Sequence, residues 1–217
     1  AIERGKNYWR EHTAALRERR GGVGPADVAA IAYLPAQGRE AASGPLRGAV
    51  LTQRNLLAAV QAAEQRLGPF TRADVFLSLA SPAYLNGRIG GLYLPMAVGG
   101  RALLLAHFKD ASIALRAHAP TVLMATPRLL TALRRQLGRA LRRHSPLAGR
   151  LLEPALAAER KVEAAQRAGR PASGLLRFRA GLLARLALAP LRKWALPSLR
   201  LAVTDGRGLR AVDEGLW

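Results

Sequence analysis

Short apolar runs alternate with helix-length segments along this chain of 217 residues, and the alternation restricts the possible folds more than any other feature. The apolar runs predict buried strands at 28–34, 75–80, 102–106, 121–126 and 199–205. The segments between them predict helices at 52–67, about 88–98, 110–117 and 127–143. Because strands that alternate with helices form parallel sheets with helices on their faces, we predict an α/β fold with a mostly parallel sheet covered by helices.

Residues 134–200 differ in character from the rest of the chain. They carry an Arg- and Leu-rich helical pattern with 16 basic and 3 acidic side chains, and a loop is predicted at 167–174. We interpret this segment as a helical insertion between two strands of a single domain that spans residues 1–217.

One stretch of the insertion, residues 175–194, combines basic and apolar side chains at helical spacing. Three arginines fall near one helical face and four apolar side chains on another; the two sets are Arg177, Arg185 and Arg192, and Leu175, Phe178, Leu182 and Leu186. Pro190 is expected to end or kink the helix. Such an apolar stripe more often packs on its own domain, but a basic amphipathic helix also binds anionic membrane surfaces. The sequence leaves both interpretations open.

The net charge of +20 favours anionic partners, and 30 of the 34 basic residues are arginines. Such a balance attracts nucleic acid, anionic lipid or phosphorylated ligands, although arginines spread over solvated faces explain it equally well. Aromatic residues make up only 5% of the chain, and no nucleic-acid recognition motif is present. We therefore expect no specific nucleic-acid partner.

Several catalytic classes find no support in the sequence. The absence of cysteine excludes disulfides, thiolate metal sites and thiol nucleophiles. The four histidines have no carboxylate or histidine partner at ligand spacing, so no metal site is predicted. No catalytic residue can be named, because serine, histidine and aspartate are dispersed. The first residues lack the apolar core of a signal peptide, and we expect a cytoplasmic protein with peripheral membrane contact as the alternative.

Residues 39–57, REAASGPLRGAVLTQRNLL, combine features of a phosphate-binding loop with a helix start. Such a loop needs glycines and small hydroxyls that bring donors to an anion, with a helix N-terminus behind it. The candidate phosphate contacts are Ser43, Gly44, Arg47 and Gly48. Thr52 is the expected N-cap of the following helix. The loop is poor in glycines and hydroxyls, while its helix is well formed.

The stretch GAVLTQRNLLAAV resembles the segment after the phosphate loop of adenylate-forming (AMP-binding) enzymes, above all the bacterial long-chain fatty-acid CoA ligases. Their pattern is close to Y-T-S-G-T-T-G-x-P-K-G-V-x-L-T-H-R-N-L. Arg47 stands where the family has lysine, and Gln53 where it has histidine. The match continues collinearly through ADVFLSLASPAYLNGRIGGLYLPMAVGG, APTVLMATPRLLTALRRQL, the helical insertion and LRLAVTDGRGL. Residues 1–217 are thus identified as a partial AMP-binding domain, with 134–200 as the insertion, within the large N-terminal domain of such an enzyme.

The resemblance also assigns candidate ligand contacts. Tyr84 stands where the family usually has a histidine near the acyl site, Arg88 is retained from the same motif, and Gly90 completes the predicted substrate-binding set. The adenine-side turn corresponds to Asp205, Gly206 and Arg207. In the aligned phosphate loop only Ser43 and Gly44 keep the family's character.

The resemblance implies adenylation of a fatty acid by ATP and Mg²⁺, followed by thioester formation with CoA, so that fatty acid and nucleotide are the expected partners. Because the phosphate loop is degenerate and the family's C-terminal motifs have no counterpart, we expect a fragment or degenerate copy that is inactive as this chain alone. The alternative is a non-catalytic basic module that binds anionic membrane.

Overall fold

The computed structural model describes residues 2–33 and 48–204, and the chain divides into two compact units between Arg66 and Leu67. The first unit contains helices α1 (Ile2–Glu11) and α2 (Thr13–Gly21), strands β1 (Val28–Tyr33) and β2 (Gly48–Thr52), and helix α3 (Gln53–Leu67). The two strands pair antiparallel, with Tyr33 opposite Gly48 and Val28 opposite Thr52. Strand β1 and helix α3 were predicted from the sequence, whereas β2, α1 and α2 were not.

The start of α3 shows why this helix begins where the sequence predicts. The backbone N–H of Asn55 donates to Thr52 Oγ1 at 3.3 Å, and the Thr52 N–H donates to Asn55 Oδ1 at 2.9 Å. This reciprocal pair satisfies backbone donors that the first turn of a helix leaves open. The N-cap predicted at Thr52 is therefore confirmed.

The second unit is built on a parallel sheet of four strands: β3 (Val75–Ser78), β4 (Arg101–Leu104), β5 (Val122–Ala125) and β6 (Leu201–Thr204). Their order across the sheet is β4-β3-β5-β6. The predicted α/β class with a mostly parallel sheet is confirmed, and each predicted strand exists within two residues of its predicted ends. The chain runs from β3 to one edge at β4 and then crosses back to β5, so the strand order reverses between β3 and β5.

Helices connect the four strands of this sheet. Between β3 and β4 lie α4 (Leu85–Arg88), a π-helical segment (Ile89–Tyr93) and α5 (Leu94–Val98). A short turn and α6 (Ala111–His118) join β4 to β5. The helical insertion follows β5 as α7 (Pro127–His144), α8 (Pro146–Arg167), α9 (Gly174–Leu183), a second π-helical segment (Ala184–Leu188) and α10 (Ala189–Ala195). The α9 helix ends at Leu183, before the second π-helical segment, and Pro190, which was expected to end or kink the helix, lies in the first turn of α10.

The main hydrophobic core joins the sheet to the helical insertion. Four leucines of α7 recur three or four residues apart and are almost fully buried, namely Leu130, Leu133, Leu137 and Leu141. They share one cluster with Leu77 of β3, Leu123 of β5 and Leu156 of α8. Arg134 of α7 also donates to Glu153 of α8 at 2.6 Å. The insertion is thus part of the core that supports the sheet.

The amino ends of three adjacent strands are joined by a polar cluster, the amino-end clamp, which consists of Asp74, Thr121 and Arg200. Asp74 is 5% exposed. Arg200 donates through Nε to Asp74 Oδ1 at 3.1 Å and through Nη2 to Oδ2 at 2.9 Å, and Thr121 Oγ1 donates to Oδ1 at 2.7 Å. Since these residues immediately precede β3, β5 and β6, the clamp holds the three strands in register.

The clamp lowers the pKa of the Asp74 carboxyl group. Burial would raise the pKa of Asp74, but hydrogen bonds from Arg200, Thr121 and Thr71, together with the charge of Arg200, lower it from the ordinary 3.8 to about 2. Asp74 is therefore charged and fully paired in the folded protein over the physiological pH range.

None of the helices in the described ranges combines the length and the apolar character that crossing a bilayer requires.

Candidate functional site

A cleft opens at the carboxyl ends of β3 and β5, where the strand order of the sheet reverses. Its volume is about 820 Å³. One wall follows β3 and contains Leu79, Ala80, Ser81 and Tyr84; the other follows β5 and contains residues 126–129, 131, 132 and 135. Ligands of open α/β sheets bind at such reversal points, outside the carboxyl ends of the strands. We call this cavity the switch-point cleft.

Helix α7 supplies one wall of the switch-point cleft through a regular stripe. Four residues of α7 line the cavity and recur at helical spacing, so they lie on one face of the helix. They are Arg128, Thr131, Ala132 and Arg135. Thr126 caps the helix by accepting a hydrogen bond from the Leu129 N–H at 3.4 Å. The amino end of this 18-residue helix therefore lies at the cleft, and its dipole adds positive potential there.

The chemistry of the lining favours an anionic ligand that also has an apolar part. Among the described residues of the lining, both charged side chains are arginines and none is acidic. Ser81, Tyr84 and Thr126 add hydroxyl groups, while Leu79, Ala80 and Leu129 provide apolar surface. Arginine binds carboxylates and phosphates through charge-assisted hydrogen bonds. The cleft is therefore suited to a carboxylate or phosphate attached to a hydrophobic group.

A second hollow lies on the other side of the β3 terminus. It measures about 370 Å³ and is lined by Leu104, Leu105, Ala106 and Phe108 from the β4 side. Leu79, Ala80 and Ser81 line both cavities, so the segment after β3 lies between the cleft with the two arginines and a second cavity of mixed polar and apolar lining.

The three predicted substrate-binding residues occupy different positions in the second unit. Tyr84 is 63% exposed and lines the switch-point cleft. Arg88 does not line it; its Nε donates to the carbonyl of Pro82 at 2.9 Å and so braces the segment that carries Tyr84. Gly90 is buried, and a side chain there would collide with the end of Met124. Gly90 therefore allows the first π-helical segment to lie closely on β5.

The predicted nucleotide-binding residues can be located only in part. Gly48 lies in β2, paired with Tyr33, and a Cβ there would lie 2.7 Å from Ile31 Cγ2. The remaining candidates fall outside the described residues; they are Ser43, Gly44, Arg47, Asp205, Gly206 and Arg207.

Sequence reasoning missed Arg128 and Arg135 as candidate contacts. The signal was present in TPRLLTALRR, where basic and small residues recur at helical spacing directly after a predicted strand. Because helices that follow strands of a parallel sheet begin at the carboxyl edge, this spacing predicts a cationic wall at the ligand-binding edge.

The described residues offer no metal site. No group of three or more histidine, aspartate or glutamate side chains in the ranges 2–33 and 48–204 could hold a metal ion. The lining of the switch-point cleft includes no carboxylate either, within the part of the chain that the structure describes. Mg²⁺ is held in proteins mainly by one or two carboxylates, so these lining residues do not fit it.

Solved structures of CoA ligases resemble parts of this chain. A benzoate CoA ligase from Burkholderia xenovorans LB400 is 28% identical over 50% of this chain and 21% of its own, with a TM-score of 0.42. A putative long-chain-fatty-acid CoA ligase from Rhodopseudomonas palustris CGA009 is 28% identical over 52% of this chain and 27% of its own, with a TM-score of 0.43. ATP-bound MatB from Rhodopseudomonas palustris is 24% identical over 51% and 21%, with a TM-score of 0.41.

The chain thus spans about a fifth to a quarter of the length of these solved structures. A comparison with curated proteins gives no match. The sequence model of the AMP-binding enzyme family, in contrast, matches residues 43–213, which include all four strands of the parallel sheet and the whole helical insertion. The chain therefore belongs to the AMP-binding enzyme family.

Proposed function

We propose that this chain is a segment of an acyl-CoA ligase of the long-chain fatty-acid type, and that the switch-point cleft receives the carboxylate of the acyl substrate. The observation that carries the proposal is the pairing of Arg128 and Arg135 on one wall, with no acidic side chain among the described lining residues. In a chain of the AMP-binding family, a carboxylic acid is the anion that the reaction activates.

In the proposed reaction the residues of the switch-point cleft bind and orient a carboxylate. A carboxylate oxygen would attack the α-phosphate of ATP with loss of pyrophosphate, and the thiol of CoA would then attack the acyl-adenylate, forming the thioester and releasing AMP. Arg128 and Arg135 would hold the acid as an anion, and the Tyr84 and Thr126 hydroxyls lie at the same cavity as additional donors. Positioning of this kind converts an encounter in solution into a reaction between fixed groups.

Nucleotide binding is proposed on the resemblance alone. Ser43, Gly44, Arg47 and Gly48 would contact the phosphates, and residues 205–207 would contact the adenine. The related proteins include ATP-bound MatB and a malonyl-CoA ligase with methylmalonyl-CoA and AMP bound.

A fatty acid is favoured over a small acid by the second hollow. The second cavity adjoins the cationic cleft across the β3 terminus and offers the apolar side chains of Leu104, Leu105 and Phe108. A substrate whose carboxylate lies in the cleft has apolar surface within reach for its hydrocarbon part, which benzoate is too short to use.

Calorimetric titration of the full chain with decanoate, decanol and benzoate tests this proposal. We expect decanoate to bind at least about tenfold more tightly than either of the other two, since decanol lacks the charge and benzoate lacks the chain. Equal affinity for decanoate and decanol would refute carboxylate recognition. Tighter binding of benzoate would replace the fatty acid by an aromatic acid as substrate.

A further inference from the structure

The outward face of α9 and the π-helical segment after it exposes a row of large apolar side chains. We call this row the α9 face; it consists of Leu175, Phe178, Leu182 and Leu186. Their exposed fractions are 70%, 69%, 48% and 42%. The residues recur three or four positions apart, so they form one continuous stripe.

The opposite side of the same helical segment faces the protein. Ala180, Ala187 and Leu188 are buried there, and α9 packs against α8 and the second π-helical segment. Small alanines on the inner side let α9 lie close to α8. Of the two interpretations that the sequence leaves open, packing of the apolar stripe on its own domain does not hold within the described residues, because the inner contact uses a different set of residues.

Basic side chains flank the α9 face. Arg179 lies one helical turn from both Leu175 and Leu182, and Arg185 lies one turn beyond Leu182. Both Arg179 and Arg185 are exposed, and Arg177 is exposed on another side of α9. The sequence from 164 to 204 contains no aspartate or glutamate. The stripe is thus accompanied by basic side chains on its own helical segment, while the nearest acidic residues in sequence, Glu153, Glu159 and Glu163, belong to α8.

The charge and the apolar side chains of the α9 face together indicate which kind of partner binds it. A second copy of the chain is disfavoured, because each copy carries a net charge of +20. Nucleic acid would match the charge, but three of the four apolar side chains are leucines, which do not stack on bases. An anionic lipid surface satisfies both components, since acyl chains accept leucine and phenylalanine while headgroup phosphates accept arginine.

We propose that the α9 face docks on an anionic lipid surface, with Leu175, Phe178 and Leu182 entering the boundary between headgroups and acyl chains. The flanking arginines would extend outward to the lipid phosphates, and α9 would lie parallel to the membrane plane. This inference rests on the helical insertion alone and is independent of what the switch-point cleft binds.

Sedimentation of the full chain with vesicles tests the proposal at about 0.15 M salt, where long-range attraction is screened. The vesicles are phosphatidylglycerol mixed with phosphatidylcholine, or phosphatidylcholine alone. We expect binding to the anionic vesicles only. The double variant Phe178→Ser, Leu182→Ser should weaken it more than about tenfold through loss of buried apolar area. Reversal of Arg177, Arg179 and Arg185 to glutamate should weaken it at least as much.

Two control variants distinguish binding through the α9 face from an effect of the net charge or of exposed apolar side chains elsewhere on the protein. Reversal of Arg17, Arg19 and Arg20 to glutamate changes the net charge by the same amount on exposed positions of α2. Met96→Ser, Ile113→Ser removes two apolar side chains that are 72% and 56% exposed elsewhere. Both controls should keep binding within about threefold. Equal losses in the controls and the α9 variants would overturn the proposal.

Because the natural sequence has no cysteine, a single Leu175→Cys variant can carry an environment-sensitive fluorophore on the α9 face. Its emission should shift to the blue on anionic vesicles, while the same label at Met96→Cys should not respond. A concentration-dependent dimer that the Phe178→Ser, Leu182→Ser variant abolishes would assign the face to a second copy and overturn the lipid proposal.

Discussion

Replacing Asp74 with alanine is expected to lower the free energy of unfolding of the second unit by about 2–4 kcal/mol. The carboxylate is 5% exposed and accepts hydrogen bonds from Arg200, Thr121 and the Thr71 N–H. Its removal leaves the buried partners unsatisfied. The loss of stability is limited because the Arg200 side chain is 40% exposed and can hydrogen-bond to water in the variant. Urea denaturation followed by circular dichroism measures the change.

The same residue predicts a specific dependence of stability on pH. The folded pKa of about 2 lies below the ordinary 3.8, so the contribution of Asp74 is fully present above about pH 4 and is lost as the pH falls through 2. The expected loss is about 2 kcal/mol. The difference between the parent and Asp74→Ala pH profiles isolates this contribution from other carboxylates. A constant difference between pH 5 and pH 2 would contradict the clamp.

The double variant Arg128→Ala, Arg135→Ala is expected to weaken decanoate binding at least about thirtyfold, which corresponds to about 2 kcal/mol. Both arginines are exposed at the cleft wall, so their contribution is smaller than that of a buried pair. The affinity for decanol should change little, because the apolar lining stays. Titration calorimetry with both ligands gives the two affinities.

The matched control for this variant lies on the same helix. Arg139→Ala, Arg143→Ala removes two exposed arginines of α7 that do not line the switch-point cleft. It changes the net charge of the chain equally and should leave decanoate affinity within about twofold. If the control loses as much affinity as the cleft variant, the fatty acid is attracted by the net charge and has no defined site.

Much of the fold follows from local sequence pattern because the strands of the parallel sheet are nearly continuous apolar runs. The centres of β3 and β5 are almost fully buried, at Phe76, Leu77, Val122 and Leu123. An uninterrupted run of such apolar residues is readily recognised as a buried strand. Strand β2 was missed because Gly48–Thr52 directly precedes a helix and has no buried residue, so it was interpreted as part of a loop. Helix α2 was missed for a related reason, since none of its residues is buried.

Residue spacing could not establish which side of a helix faces the protein. The stripe of Leu175, Phe178 and Leu182 has the period of a core-facing helix, yet Ala180 and Leu188 take the inner side. At the switch-point cleft, Tyr84 was named from the sequence, but Arg128 and Arg135 were not. Their proximity to Tyr84 depends on the order of strands in the sheet, which local pattern does not encode.

Photo-crosslinking of the full chain with a fatty acid that carries a diazirine, followed by mass spectrometry of the labelled peptides, shows whether the switch-point cleft binds fatty acid. We expect label to concentrate at residues 79–84 and 126–135, which contain the lining of the switch-point cleft, and excess decanoate to remove it. Arg128→Ala, Arg135→Ala should lose the same label. Label that stays scattered over basic surfaces, or that excess decanoate does not displace, would contradict a fatty-acid site in this cleft.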